Sequence, residues 1–142
     1  MTLAQGRLVP PGGYNNSPAE HEGPPFGGHT KTLHVAKQLS FLKQRLNDTG
    51  HKDITSFRSL REAEVLISRV LNDNWAGLHA WLQHPDSPLG YELSSRDMGK
   101  ETGYGYTRGT RKRKVARGIY IALIKTPKKK EGFQIFTAFP IF

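Results

Sequence analysis

The fold of this chain is organised around residues 27–45, which read GGHTKTLHVAKQLSFLKQR. Apolar side chains recur along and just after this stretch at helical spacing, about 100° per residue, and form one narrow stripe: Val35, Leu39, Leu42 and Leu46. We therefore predict an amphipathic helix from about Thr30, its N-cap, to Asn47. His34 and Arg45 lie eleven positions apart, close to three helical turns, so they are predicted to project from nearly the same side.

The polar face of this predicted helix has two interpretations. Helices commonly carry charge on their solvated side, and His34 and Arg45 would then have no special role. Alternatively, the pair acts on RNA, whose cleavage by the 2′-hydroxyl needs a base, a cation at the phosphate and an acid for the leaving oxygen. Imidazole suits the proton transfers because its ordinary pKa is about 6.5, and guanidinium suits the phosphate. His34 and Arg45 would meet two of these three needs.

Residues 1–26 are rich in Pro, Gly and Asn and show no sustained apolar periodicity. We predict a flexible linker there and a single domain over 27–142, a length that suits one modest core. Turn-forming residues at 47–50 end the first helix. His51 and Lys52 follow in a loop, where a solvated role is expected.

Two further helices are predicted in the first half of the domain. Ser59 and Glu62 have the spacing of a capping box, which marks the start of the second helix. Residues 72–74 interrupt its apolar pattern. A third helix, Trp75 to about Gln83, ends at a nearby proline. Trp81 within it is predicted to be a core residue.

From Leu89 the apolar period changes to two, which is typical of strands. Strands are predicted over 90–94, 102–107, 119–124 and 133–139, with a basic loop or strand entrance at 111–114. In the last strand, alternation places four side chains on one face: Phe133, Ile135, Thr137 and Phe139. N-terminal helices followed by a twisted antiparallel sheet make an α+β fold.

Composition excludes several classes of site. The chain has no cysteine, so neither a disulfide framework nor a cysteine-ligated metal is available. No apolar run approaches the length of a membrane span, and the N-terminus lacks the apolar core of a signal peptide. Neither a glycine-rich phosphate loop nor a tight cluster of metal ligands is present. We predict no metal site and no cofactor.

The positive charge is concentrated in one segment. The net charge is +9, and ten of the 21 Lys and Arg residues fall between Arg108 and Lys130, where there is no Asp or Glu. The rest of the chain is nearly neutral. A local field of this kind favours a polyanion such as nucleic acid, although an acidic protein or an anionic membrane surface would also fit.

Four short motifs add a further signal: Gly27-Gly28-His29-Thr30, His34-Val35 with Arg45 eleven residues on, Ala80-Trp81-Leu82, and Phe136-Thr137-Ala138-Phe139-Pro140. In order, spacing and terminal position they resemble the bacterial ribonuclease A-like toxin domain. That domain is the C-terminal part of contact-dependent growth inhibition proteins and related polymorphic toxins. The resemblance covers about 27–142 and implies a ribonuclease A-like fold without disulfides, which agrees with the absence of cysteine.

The resemblance also implies which residues form the site. The family's catalytic histidine, arginine and last-strand threonine fall on His34, Arg45 and Thr137. The family usually has tyrosine two residues later, where this chain has Phe139, which lacks the hydroxyl but keeps a ring that can stack on a base. The acid for the leaving group is therefore unassigned. Its candidates are His34 in both roles, Tyr104, Tyr106 and water.

Other basic residues are assigned to substrate binding. His29, five positions before His34, is expected to bind phosphate or to cap the helix, and it is the alternative to His34 as the catalytic histidine. Arg111, Lys112 and Arg113 are expected to contact the RNA backbone.

The expected function is a metal-independent ribonuclease toxin of interbacterial competition that forms a 2′,3′-cyclic phosphate. Its expected partners are RNA and a cognate immunity protein with an acidic surface, and it is otherwise expected to be a monomer. It would be secreted as the C-terminal part of a larger delivery protein and act in the target-cell cytoplasm. The alternatives are a non-catalytic basic RNA- or DNA-binding module and a nuclease that needs a divalent metal.

Overall fold

The computed structural model describes residues 36–37, 41–42, 44–45, 49–110, 112–127 and 132–142. Their helices and strands are, in chain order, β1 (Asp53–Ser56), α1 (Leu60–Asp73), α2 (Trp75–Gln83), β2 (Gly90–Ser95), β3 (Gly103–Thr107), β4 (Lys114–Ala116), β5 (Gly118–Lys125) and β6 (Phe133–Ile141). The strands form two antiparallel sheets of three, in the orders β1-β3-β4 and β2-β5-β6. The predicted α+β class is confirmed. Within the described ranges, no helix is long and apolar enough to cross a membrane.

Helix α1 begins where the capping signal predicts. Ser59 is the N-cap, and its hydroxyl oxygen accepts a hydrogen bond from the Glu62 amide at 3.1 Å. Satisfying a free amide in this way stabilises the first turn. The helix ends at Asp73 and α2 begins at Trp75, so the interruption predicted at 72–74 is confirmed as a break at Asn74.

The main core lies between the two helices and the sheet β2-β5-β6. Its largest fully buried side chains come from the residue after β1, from α1 and α2, and from strands β5 and β6: Phe57, Leu66, Ile67, Leu71, Leu78, Ile119, Ile121, Leu123, Phe133 and Ile135. Trp81 is only 5% exposed and belongs to this core, as predicted. Its indole N–H donates to the Pro88 carbonyl at 2.7 Å, which satisfies the one polar atom of the ring.

A smaller cluster joins the segment before β1 to the other sheet. Leu42, Ile54 and Tyr106 are buried together, and Tyr104 packs against them. The Tyr104 hydroxyl donates to the Lys37 carbonyl at 2.7 Å. The N-terminal part of the described chain is thereby attached to β1 and β3.

The predicted first helix is wrong in its N-terminal part. Ala36 has a φ of 51°, a left-handed conformation that an α-helix does not contain. Its amide donates to the Phe57 carbonyl at 2.7 Å, and the Lys37 amide donates to Ser56 Oγ at 2.9 Å. These amides bind the end of β1 instead of carbonyls one helical turn back. Within the range of this predicted helix, the described helical residues are 41–42 and 44–45, so the phase argument that placed His34 beside Arg45 does not hold.

The predicted alternation along the last strand is also wrong. Ala122 pairs with Thr137 but Leu123 pairs with Ile135, so Phe136 is an extra residue in β6, a β-bulge. Phe133, Ile135 and Ala138 all reach the main core. The bulge reverses the faces after Ile135, so Thr137 and Phe139 lie on the opposite face from Phe133 and Ile135.

Two strands are absent from the sequence prediction. β1 has only four residues and carries no long alternating pattern. β4 has three residues and lies within the basic segment that was predicted as a loop or a strand entrance. Their pairing with β3 creates the second sheet, and β1 then brings residues of the loop before it to the site described next.

Candidate active site

A cavity of about 150 Å³ lies where Arg45, β1 and the C-terminal half of β6 meet. Its lining comes from three parts of the chain that are distant in sequence: Arg45; His51, Asp53, Ile54 and Thr55; Thr137 and Phe139. The two strands are tied together here, because Thr55 Oγ1 donates to the Pro140 carbonyl at 2.6 Å. The structure thus brings together three predicted site residues, Arg45, Thr137 and Phe139.

Arg45 supplies the positive charge of the cavity. Leu42, one helical turn earlier, is fully buried and anchors the segment, while the Arg45 side chain is partly buried. Burial lowers the pKa of the Arg45 guanidinium from its ordinary value, yet such a group stays charged at neutral pH. Its Nη1 atom is buried and has no hydrogen-bond partner among the described residues. A buried, unpaired N–H of a cation favours an anionic acceptor.

Thr137 contributes a second unpaired polar atom. Its side chain is 8% exposed, and Oγ1 is buried without a hydrogen-bond partner in the described part of the chain. The bulge at Phe136 turns this hydroxyl away from the main core and towards the cavity. Because an unmade hydrogen bond in a buried place is costly, the arrangement fits a site that a ligand completes.

Phe139 forms an aromatic wall of the cavity. It pairs across the strands with Tyr120, and the two rings stack with their centroids 5.0 Å apart. The Tyr120 hydroxyl donates to Glu92 Oε1 at 2.8 Å. Burial first, then this hydrogen bond and the Glu92 charge, raises the pKa of Tyr120 to about 12. Tyr120 is therefore neutral at physiological pH. Its ring packs against Phe139 and supports that wall of the cavity.

His51 and Asp53 also line the cavity, and the sequence analysis did not select them for the site. His51 was expected to be a solvated loop residue. Its side chain is exposed in the structure, but the pairing of β1 with β3 carries it to the rim of the cavity. No pattern in the sequence predicts that His51 lies at the cavity, because β1 is too short to be predicted.

The predicted RNA-binding residues of the basic segment lie elsewhere. Lys112 and Arg113 are exposed and precede β4. The Arg113 guanidinium lies over the Tyr104 ring, 5.0 Å from its centroid, and Lys114 Nζ lies 4.4 Å from the centroid of the Phe142 ring. They do not line the cavity and form a separate basic and aromatic surface on the sheet β1-β3-β4.

His34, His29 and Arg111 lie outside the described residues, so their predicted roles stay predictions. The nearest described neighbour of His34 in sequence is Ala36, which is bonded to Phe57 as described above. Among the residues that the structure describes, no group of three or more His, Asp or Glu is placed to hold a metal ion.

Comparisons with known proteins agree with this fold. The family model described as the bacterial CdiA-CT RNAse A domain matches residues 28–140. A crystal structure of a CdiA-CT/CdiI complex from Y. kristensenii 33638 contains a chain that superposes with a TM-score of 0.72 at 23% sequence identity. The match covers 81% of the present chain and 100% of that chain. A search of curated proteins gives no match.

Proposed function

Since the chain belongs to the bacterial CdiA-CT RNAse A domain family, we propose that it is a metal-independent endoribonuclease toxin of contact-dependent growth inhibition. Residues 27–142 would form the nuclease domain and residues 1–26 a linker to a larger delivery protein. The domain would be secreted as the C-terminal part of that protein and would cleave RNA in the cytoplasm of the target cell.

One observation carries the proposal. Arg45 Nη1 and Thr137 Oγ1 are both buried at the same cavity and unpaired among the described residues. A phosphodiester offers several acceptor oxygens and a negative charge, so it would satisfy both groups at once. The aromatic wall at Phe139 would stack on the attached base, since every base has a flat face.

These positions support cleavage by attack of the 2′-hydroxyl. The predicted base, His34, takes the proton of the 2′-hydroxyl while the 2′-oxygen forms a bond to phosphorus and the bond from phosphorus to the 5′-oxygen breaks. Arg45 and Thr137 stabilise the charge that grows on the non-bridging oxygens. The product is a 2′,3′-cyclic phosphate. His29 would bind a phosphate of the substrate.

The basic surface around Lys112 and Arg113, with Arg111, would bind the phosphates of the RNA flanking the cleaved bond. Exposed Lys and Arg side chains of this kind contribute affinity that falls with salt and carries little sequence preference. The contact of Arg113 with the Tyr104 ring and that of Lys114 with the Phe142 ring keep these two positive charges on the sheet surface.

A producing cell would need protection from this activity. The matched crystal structure is titled a CdiA-CT/CdiI complex, and we extend that arrangement to this chain as a proposal. The cognate immunity protein would present an acidic surface to the positive charge of the domain, and apart from that complex the domain would be a monomer.

The test is cleavage of total bacterial RNA in excess EDTA by the purified chain, with Arg45→Ala and His34→Ala beside it. Arg61→Ala is the matched control, because Arg61 is an exposed arginine on α1, away from the cavity. We expect cyclic phosphate ends from the parent and the control and a loss of about 100-fold or more in the two site variants. Salt-dependent binding without any cleavage would favour the binding module, and activity abolished by EDTA would favour a metal-dependent nuclease.

A further inference from the structure

The cavity contains an imidazole for which neither the sequence nor the family resemblance provides a role. His51 lines it together with Arg45 and Thr137, the two residues whose buried polar atoms point to a phosphate. The reaction proposed above still lacks the acid that protonates the leaving oxygen. Imidazole is the side chain best suited to that proton transfer near neutral pH.

The backbone at His51 is held on both sides. Its amide donates to Thr49 Oγ1 at 3.4 Å, and its carbonyl accepts from Arg108 Nε at 3.1 Å. Arg108 also donates its own amide to the Lys52 carbonyl at 2.7 Å. A backbone held in this way fixes the point from which the His51 side chain extends towards the cavity, which favours orientation of a catalytic group. The exposed rim position would let the imidazole exchange its proton with water between turnovers.

The tyrosines considered as acids are otherwise engaged. The Tyr104 hydroxyl donates to the Lys37 carbonyl, and Tyr106 is 3% exposed within the cluster of Leu42 and Ile54. Neither lines the cavity. Asp53 does line it, and its Oδ1 accepts from Thr107 Oγ1 at 2.7 Å.

We propose that His51, as an imidazolium, donates its proton to the 5′-oxygen of the leaving nucleoside. This inference rests on the proposed ribonuclease function. The bond from phosphorus to the 5′-oxygen breaks as the 2′-oxygen bonds to phosphorus, the proton of the 2′-hydroxyl goes to His34, and the proton of His51 goes to the departing oxygen. Neutral His51 then takes a proton from water as the water oxygen bonds to phosphorus, the bond from phosphorus to the 2′-oxygen breaks, and His34 returns its proton to the 2′-oxygen.

The test uses two forms of the dinucleoside monophosphate that the parent cleaves fastest. One has the natural 5′-oxygen, and the other has sulfur in its place. A thiolate leaves without being protonated, so the sulfur substrate makes a leaving-group acid unnecessary. For His51→Ala we expect a loss of about 10²–10⁴-fold in kcat/KM on the oxygen substrate and a change of less than about threefold on the sulfur substrate. Arg45→Ala should lose activity on both.

The control is His84→Ala, which removes an exposed histidine at the end of α2 that does not line this cavity. It should leave both rates unchanged. Circular dichroism should show that both histidine variants are folded. Equal losses of His51→Ala on the two substrates, or no loss on either, would overturn the role of His51. A parent that cleaves neither total bacterial RNA nor any dinucleoside monophosphate would instead overturn the ribonuclease proposal itself.

Discussion

Replacing Thr137 by valine should make the protein more stable and less active. The two side chains have nearly the same shape, so the change removes a hydroxyl without opening a cavity in the packing. In the described part of the chain this hydroxyl is buried and has no hydrogen-bond partner. The substitution therefore removes an unmet polar group from the unliganded protein and, at the same time, a group proposed to bind the phosphate.

The magnitude follows from the cost of an unpaired buried hydroxyl. Leaving such a group unsatisfied costs about 1–3 kcal/mol, and the added methyl group gains up to about 0.8 kcal/mol on burial. Allowing for incomplete burial, we expect the free energy of unfolding to rise by about 1–2 kcal/mol. In a chain of this size that corresponds to an increase in Tm of about 4–8 °C. Cleavage should fall by about 100-fold, the usual effect of losing one donor to a developing oxyanion.

Thr55 provides a matched control at the same cavity. It is as buried as Thr137, but its Oγ1 donates to the Pro140 carbonyl at 2.6 Å. The same change, Thr55→Val, removes this bond and leaves a buried carbonyl with one partner fewer. It should lower the free energy of unfolding by about 1–3 kcal/mol. Two identical substitutions of residues that line the same cavity are thus expected to change stability in opposite directions.

The assay is urea unfolding of the three proteins without RNA, at one pH and salt concentration, followed by circular dichroism. Comparable slopes of free energy against urea would show that only stability has changed. A loss of 1 kcal/mol or more in Thr137→Val would refute the reasoning, because the hydroxyl would then be making a favourable bond in the free protein. Retained cleavage of RNA by Thr137→Val would show that the Thr137 hydroxyl takes no part in the reaction.

Three further results are expected. Gly105→Ala should lower the free energy of unfolding in urea by about 2–3 kcal/mol, because a Cβ there would collide with the Ile54 carbonyl across the β1–β3 pair. An unchanged urea midpoint would contradict the pairing of β1 with β3. Ser59→Ala should cost about 1 kcal/mol by the same measurement through loss of the N-cap of α1, and a neutral effect would mean that the cap contributes nothing. Absorbance at 295 nm should show Tyr120 ionising at about 12, a phase absent from Tyr120→Phe and moved to lower pH in Glu92→Gln. Because the folded state holds this proton more tightly than the unfolded state, stability from Tyr120 should be complete below about pH 10 and lost as pH rises to about 12. A normal tyrosine titration would contradict the combined effect of partial burial and the Glu92 carboxylate on Tyr120.

The parts predicted correctly from the sequence are those whose signal is local. The capping spacing at Ser59, the break at 72–74 and the apolar periodicity define α1 and α2, because each depends on residues within a few turns. The longer strands follow from their own apolar pattern. Trp81 is predicted as a core residue because a large ring on an apolar helix rarely lies outside.

The errors occur where distant residues compete with local preference. The apolar stripe after Thr30 predicts a continuous helix, but the amides of Ala36 and Lys37 bind the end of β1 instead. In the last strand, aromatic residues fall on both phases of the alternation, so the pattern could not reveal the extra residue at Phe136. His51 reaches the cavity only through β1, a strand of four residues whose stability comes from its neighbours.

The bulge explains how one strand can serve both the core and the site. Before it, Ile135 fills the main core; after it, Ala138 does so, and Thr137 and Phe139 face the cavity. A regular strand with the same residues would have turned Thr137 towards apolar side chains, where its hydroxyl would be unpaired and out of reach of a ligand. The extra residue instead places the unpaired hydroxyl where a phosphate can meet it. With the proposed function, stability given up by the free protein at Thr137 would be recovered when substrate binds, so the valine variant should gain in one measurement and lose in the other.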